Sequence, residues 1–311
     1  MSQLIIVPPA RVSRRVDEAR GYSRKPDRIF GYVTIAPALF VIFVIIGIPM
    51  AYAIYLSMTT KVVGHPEVFV GAKNFITIFN DPVYWLVLKN SFVFTFSSVG
   101  SKLILGMMFA LTLNQRFPAR AVIRVLFLVP WAVSGMVASL TWKWLYNDTY
   151  GILNVILKDL HLISAPVPWL SGKGWSMAAI IMVDVWRGTP FFIFSFLGGL
   201  QTLDKQIYEA ATIDGAGVVR RFTQLTIPAL MPVISVTTML SCIWTFNQFD
   251  IPFIVTGGNP AHSTALISVY TYEVAFWSNL MGRSLSVGVS VIPIMLVFMY
   301  FASKWLLKDA D

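Results

Sequence analysis

The sequence predicts an all-α integral membrane protein of six transmembrane helices with both termini in the cytoplasm. Three observations carry that prediction. Of 311 residues, 56% are hydrophobic and 13% are charged, against roughly 25% charged in a soluble domain, and mean hydropathy is +0.69. The apolar residues bunch into runs that reach the roughly 20 residues needed to cross a hydrocarbon core of about 30 Å. Lys and Arg gather in alternate loops, as the positive-inside rule demands of a chain whose amino terminus stays inside.

Six apolar segments lie at about 29–57, 86–113, 121–145, 175–200, 229–252 and 284–306. Each must be helical, because backbone groups in lipid have to pair within their own segment. Pro37, Pro49, Pro130, Pro190 and Pro293 fall inside these runs, and membrane helices tolerate proline where neighbours satisfy the freed carbonyls. The first run follows a basic arm, residues 1–28, and shows no small-residue cleavage site, so it is expected to remain a span. The arm carries Arg11, Arg14, Arg15, Arg20, Arg24, Lys25 and Arg28; the loop after the second segment carries Arg116, Arg120 and Arg124; that after the fourth carries Lys205, Arg220 and Arg221. The alternate loops are sparser in basic residues. Topology therefore accounts for the net charge of +9 better than nucleic-acid binding does. Cys242 is the single cysteine, and His65, His161 and His262 are far apart, so neither a disulfide framework nor a metal cluster is expected.

Between the fourth and fifth runs lies a polar stretch, EAATIDGAGVVRRFTQLTIPAL, from Glu209 to Leu230. Asp204 is suited to cap a short helix whose apolar side is Ile207, Tyr208 and Ala211. Gly215 and Gly217 mark a sharp break. Beyond it Val218, Val219, Phe222 and Leu225 recur at helical spacing until Pro228. Two short helices at an angle result. Such an element either lies on the inner leaflet as a connector or inserts into a groove of another protein.

Within the runs, Asp184 and Arg187 are three residues apart on one helical face and can partly neutralise each other, or act as an ionisable relay. Lys102, beside Ser101, suggests a polar packing seam. In the fifth run Ser241, Thr245 and Gln248 form a hydrogen-bonding stripe with Trp244 alongside. Hydroxyl and amide partners beside a flat apolar ring are what a sugar requires. The same groups also bond neighbouring helices together, and composition leaves the two readings level.

The spacing Glu209-Ala210-Ala211, Gly215, Leu225, Ile227, Pro228 resembles the EAA loop of ABC importer permeases, E-A-A-x3-G-x9-I-x-L-P, with Leu and Ile exchanged at two positions. Phe69-Val70-Gly71-Ala72-Lys73-Asn74-Phe75, Val185-Trp186-Arg187-Gly188-Thr189-Pro190-Phe191 and Thr256-Gly257-Gly258-Asn259-Pro260 resemble segments of the carbohydrate (maltose-like, MalF-like) branch. Nearly all of the chain after Asp27 fits that plan. The resemblance implies a type I ABC importer permease (MetI-like) fold, with 29–311 as one six-helix domain and 204–228 as its coupling loop. It implies that Glu209, Ala210, Ala211, Asp214, Gly215, Ala216, Phe222, Leu225 and Pro228 serve ATPase coupling. It also implies that Trp131, Arg187, Gly188, Ser241, Trp244, Thr245 and Gln248 line the substrate path. The implied partners are a second, homologous permease chain, two copies of a cytoplasmic ATPase, an extracytoplasmic solute-binding protein and the bilayer. Arg187 at such a cavity suits a carboxylate or phosphate, so an acidic oligosaccharide or sugar-phosphate-like solute is worth testing.

No G-x-x-x-x-G-K-[ST] phosphate loop is present; Ser171-Gly172-Lys173-Gly174 lacks the upstream glycine. No HExxH or GxSxG occurs. The expected chain is non-catalytic and binds no cofactor, with ATP and Mg²⁺ handled by the partner ATPase in a bacterial or archaeal inner membrane. The competing expectation is an ion-gradient-driven secondary transporter with Asp184 and Arg187 as its relay.

Overall fold

The computed structural model describes residues 24–307 apart from residue 63. The basic arm expected over 1–28 therefore lies outside the described residues, save its last few. The chain divides into two compact units, Met1–Tyr55 and Leu56–Asp311.

In the first unit, α1 (Arg24–Ile42) passes through a wide π turn, Phe43–Gly47, into α2 (Ile48–Ser57), whose last two residues belong to the second unit. The stretch Phe30–Ser57 is 28 residues long and contains an 18-residue window of mean hydropathy 2.5, long and apolar enough to span a bilayer. Pro49 explains the π turn. It has no N–H to give to the carbonyl four residues back, and the helix absorbs the loss by widening just before it, with the Ile48 N–H bonded to the Phe43 carbonyl.

The second unit contains α3 (Lys73–Phe79), α4 (Pro82–Asn114), α5 (Arg120–Ala132), α6 (Gly135–Leu145), α7 (Ile152–Asp159) and α8 (Trp175–Gln201). It continues with α9 (Lys205–Ile213), α10 (Val218–Arg221), α11 (Ile227–Phe246), α12 (Asp250–Val255), α13 (Ile267–Tyr272) and α14 (Met281–Leu307). The long helices α4 and α8 form the most extensive pairing, and α11 packs against both. Asp81 caps α4, accepting the Val83 N–H at 2.9 Å, with Pro82 at the first helical position where its missing N–H costs nothing. Phe192, Ile193 and Phe196 of α8 and Leu230 of α11 are fully buried in the core these helices share with α4.

Two expected spans differ in detail. The segment drawn at 121–145 is not one helix: α5 and α6 meet at 94° across Val133 and Ser134, both with extended backbone. Pro130 weakens the last turn of α5. The restart at Gly135 needs a residue without a side chain, since a Cβ there would stand 2.8 Å from the Asp250 carboxylate. The segment drawn at 229–252 ends as a helix at Phe246, and α12 begins afresh at Asp250.

Outer connections are pinned by side-chain amides. Asn154 of α7 accepts from the Val167 N–H at 3.1 Å and the Trp169 indole at 2.9 Å, and donates to the Val167 carbonyl at 3.1 Å, closing the 146–174 segment on itself. Asn74, from the Phe69–Phe75 motif, donates to the carbonyls of Ser57 and Thr59, both at 2.8 Å. Asn90 of α4 donates to the carbonyls of His262 and Ala265, fixing the turn that follows Thr256.

Candidate functional site

Two features stand apart from the apolar packing: an elbow of short helices after α8, and a polar cavity among α4, α8 and α11.

The elbow begins where Asp204 accepts the Gln206 N–H at 2.9 Å, the expected N-cap. Helix α9 ends at Asp214, and Gly215 follows at φ +78°, a left-handed conformation that a β-carbon penalises. The Ala216 N–H then returns to the Ala211 carbonyl at 2.9 Å, satisfying the helix end. Gly217 has no positive φ; it takes extended backbone and starts α10. Two side-chain bonds brace the bend: Arg221 to Thr212 at 2.6 Å and Tyr208 to Thr226 at 2.9 Å. Phe222 turns inward onto the α4–α8–α11 core, whereas Ile213, Val218 and Val219 are exposed at 87%, 75% and 76%. Glu209, Ala210 and Asp214 are also exposed. The outward apolar ridge is thus Ile207, Ile213, Val218 and Val219, while Tyr208, Ala211, Phe222 and Leu225 are partly covered. Pro228 does not interrupt the chain as a stop. A second π turn, Phe222–Thr226, carries α10 into α11 with the Ile227 N–H bonded to the Phe222 carbonyl, as before Pro49.

The cavity has a volume of about 250 Å³. All seven residues expected along a substrate path border it: Trp131 from α5, Arg187 and Gly188 from α8, Ser241, Trp244 and Thr245 from α11, and Gln248 just beyond. Gln248 completes the Ser241–Thr245 stripe from outside the helix, its N–H bonded to the Thr245 carbonyl at 3.1 Å. The remaining lining residues are Lys102, Asp184 and Phe191. Phe191 packs on Trp244 with ring centroids 5.2 Å apart, and Trp131 and Trp244 stand exposed at the rim.

The charges pair differently from the sequence expectation. Asp184 is bound not to Arg187 but to Lys102, Nζ to Oδ2 at 2.5 Å, with both side chains almost fully buried. Lys102 also donates to the Thr245 hydroxyl at 3.0 Å. Gly188 makes this possible, since a Cβ there would stand 2.7 Å from Lys102 Cε. Each charge of this buried pair depends on the other, since removing one would leave its partner uncompensated, and Asp184 Oδ2 has no well-aligned hydrogen bond beyond the ion-pair contact. Arg187 reaches instead toward the bend between α5 and α6, where its guanidinium and the Asp250 carboxylate flank Gly135 without coming within ion-pair distance; its Nε is buried without a hydrogen-bond partner. Lys102 was legible only as an isolated charge in an apolar run. Its partner is 82 positions away, and no helical spacing predicts that pairing.

On the side of the Thr256–Pro260 turn, His262 Nδ1 lies 3.5 Å from Glu273 Oε2. Burial pushes the Glu273 carboxyl above its ordinary range, opposed by the charge of His262.

Residues 102–305 match the family described as "Binding-protein-dependent transport system inner membrane component". The chain is 36% identical over 271 residues, 87% of its own length and 90% of the relative's, to the trehalose/maltose transport system permease protein MalF of Thermococcus litoralis. It is 32% identical over 304 residues, 94% and 97% of the two chains, to the sulfoquinovosyl glycerol transport system permease protein SmoG of Agrobacterium fabrum. A chain of a bacterial ABC transporter involved in the import of the acidic polysaccharide alginate superposes with a TM-score of 0.76 at 20% identity, covering 92% of this chain and 97% of that one. With the family match over residues 102–305 and relatives that cover most of its length, the chain belongs to the binding-protein-dependent inner-membrane permeases of ABC transporters.

Proposed function

We propose that this permease subunit forms half of the translocation path of an ATP-driven importer for a carbohydrate bearing an acidic group, in a bacterial or archaeal inner membrane. The six spans count α5–α6 as one broken span, with both termini in the cytoplasm. ATP is hydrolysed by two copies of a cytoplasmic ATPase that receive the elbow of this chain and the equivalent element of a second, homologous permease. A solute-binding protein delivers substrate from outside. ATP-driven closure moves the elbow, with Glu209 as anchor and Gly215 as hinge, and alternates the access of the cavity.

One observation carries the substrate reading. Lys102 neutralises Asp184 inside the wall, so Arg187 is the cationic side chain left facing the cavity without an ion pair. A guanidinium so placed binds a carboxylate, sulfonate or phosphate through paired hydrogen bonds. Trp131 and Trp244 supply flat faces for sugar rings, and Ser241, Thr245 and Gln248 supply hydroxyl partners. The cavity is smaller than a typical complete ligand site of roughly 300–1,000 Å³ and its rim tryptophans are exposed, as befits a half-site completed by a second chain. Among the relatives, the one named for sulfoquinovosyl glycerol fits this reading and the one named for trehalose and maltose fits a neutral sugar.

The test is to purify the chain with the proteins encoded beside it and measure solute-stimulated ATP hydrolysis. A retained ATPase that is lost on Glu209→Arg, and an uronate-containing oligosaccharide whose stimulation falls at least tenfold on Arg187→Gln while a neutral sugar is unaffected, support the proposal. Transport in vesicles driven by an ion gradient without ATP would sink it and favour the Asp184-centred secondary transporter.

A further inference from the structure

A second polar cavity, of about 590 Å³, lies where the loop after α4 meets the elbow. Arg116, Arg120, Arg124 and Lys205 line it, and no acidic residue does. Positive charge near a membrane surface is ordinary, but three features here go beyond it.

The first is convergence. The four cations come from three places in the chain: the α4–α5 loop, the first turns of α5 and the start of α9. They line one open groove, Arg120 and Arg124 partly covered and Arg116 and Lys205 exposed. The second is that two guanidiniums are held in place. Arg120 donates to the Gln115 carbonyl and Arg124 to the Leu113 carbonyl, both at 3.1 Å, using the free carbonyls at the end of α4. Arg124 Nε is buried and unpartnered.

The third feature is the helix dipole. Arg120 and Arg124 sit in the first two turns of α5, a 13-residue helix with no acidic residue in its first turn and no side-chain cap from Ala119. Cations are disfavoured at a helix amino terminus. Two arginines, an uncapped helix start and two further cations around one cavity form an uncompensated positive site. An anion seated among them would pair with the guanidiniums and offset that charge.

We propose that this groove binds a phosphate-bearing anion. Leu111, Leu200 and Leu203 form an apolar wall beside the cations, which suits the head and upper acyl chain of an anionic phospholipid drawn from the adjoining leaflet; basic pockets between membrane helices bind such headgroups. A free phosphate has the same head chemistry without the tail. Lys205 and Tyr208 belong to α9, so the bound anion ties the elbow to α4 and α5 and stiffens the base on which it moves. The leaflet concerned is the cytoplasmic one, and in that respect the inference rests on the orientation proposed above.

The test uses the full chain purified in detergent, with phosphatidylglycerol or phosphatidylcholine of matched acyl chains titrated in and bound lipid counted by native mass spectrometry. A parallel arm measures equilibrium binding of inorganic phosphate. The variant is Arg116→Gln/Lys205→Gln, which keeps the Arg120 and Arg124 bonds to α4; Lys205→Glu is the second variant. The expected result is preferential retention of phosphatidylglycerol, weakened roughly ten- to thirtyfold in the double variant, with an unchanged melting temperature. Phosphate binding lost in the same variants, without lipid discrimination, assigns the site to a soluble phosphate. Variants that bind both probes like the parent overturn the proposal. Neither binding arm needs ATPase or substrate, so failure of the importer reading and failure of this site are separately visible.

Discussion

The elbow and the cavity are built in opposite ways. The elbow is local: Asp204, Gly215 and Pro228 span 25 positions, and each acts on backbone within a turn of itself. Its apolar ridge faces outward, and of the four groups in its two bracing bonds only Thr226 is buried. The cavity takes polar atoms from α4, α5, α8 and α11, and its central ion pair is almost wholly buried. An element that must meet a partner can be specified by short-range spacing and kept accessible. A polar centre within lipid-exposed helices has to be satisfied from all sides at once.

That contrast is sharpest at Lys102 and Asp184. Asp184→Ala leaves a buried ammonium with only Thr245 as partner and is expected to cost about 3–5 kcal/mol. Lys102→Met combined with Asp184→Leu removes both charges and should restore most of that stability while impairing transport. Thermal unfolding in detergent reads both variants; a double variant no more stable than the single one would mean that the pair is not the unit. In the elbow, Gly215→Val meets open space but a backbone at φ +78°. The expected cost is about 1–2 kcal/mol, felt as lost ATPase coupling with membrane insertion intact. Unchanged transport by that variant would remove Gly215 from the hinge role. Asp204→Ala should cost about 1 kcal/mol by loss of the cap, measurable as faster proteolysis between residues 201 and 217 with the cavity undisturbed.

The smallest effect concerns Glu273. Its folded pKa is raised, so its burial favours the neutral form, and that contribution to stability is present at low pH and lost as pH rises through the folded value. Glu273→Gln should therefore gain in melting temperature relative to the parent as pH increases. A difference between the two proteins that stays constant with pH would contradict the burial argument.

Hydropathy and basic loops were enough to find the long helices, because each must satisfy its own backbone in lipid. Asp204 and the break at Gly215 were legible because capping and positive φ are tied to residue type. The right-angle break between α5 and α6 was not, since it depends on Asp250 and Arg187 filling the space beside Gly135. Nor was the partner of Asp184: helical spacing favours Arg187, and the pairing with Lys102 is decided by how α4 and α8 pack across Gly188. The Ser241–Gln248 stripe was visible, yet the end of α11 before Gln248 was not, because Gln248 keeps its place through a turn rather than through helical periodicity.

The π turn at Phe222–Thr226 fixes a phase. A π turn holds one residue more than an α turn, so it sets the angle at which the elbow leaves α11 and hence the bearing of Val218 and Val219 relative to Ser241 and Thr245. Deleting one residue between Phe222 and Thr226 would close the wide turn to an ordinary α turn and leave the ridge near its present bearing, whereas deleting one residue from the regular part of α11 would swing it about one α-helical step, roughly 100° around the axis. The chain between elbow and cavity thus has one place, the wide turn, that can absorb a change in length, and a rigid shaft beyond it that cannot.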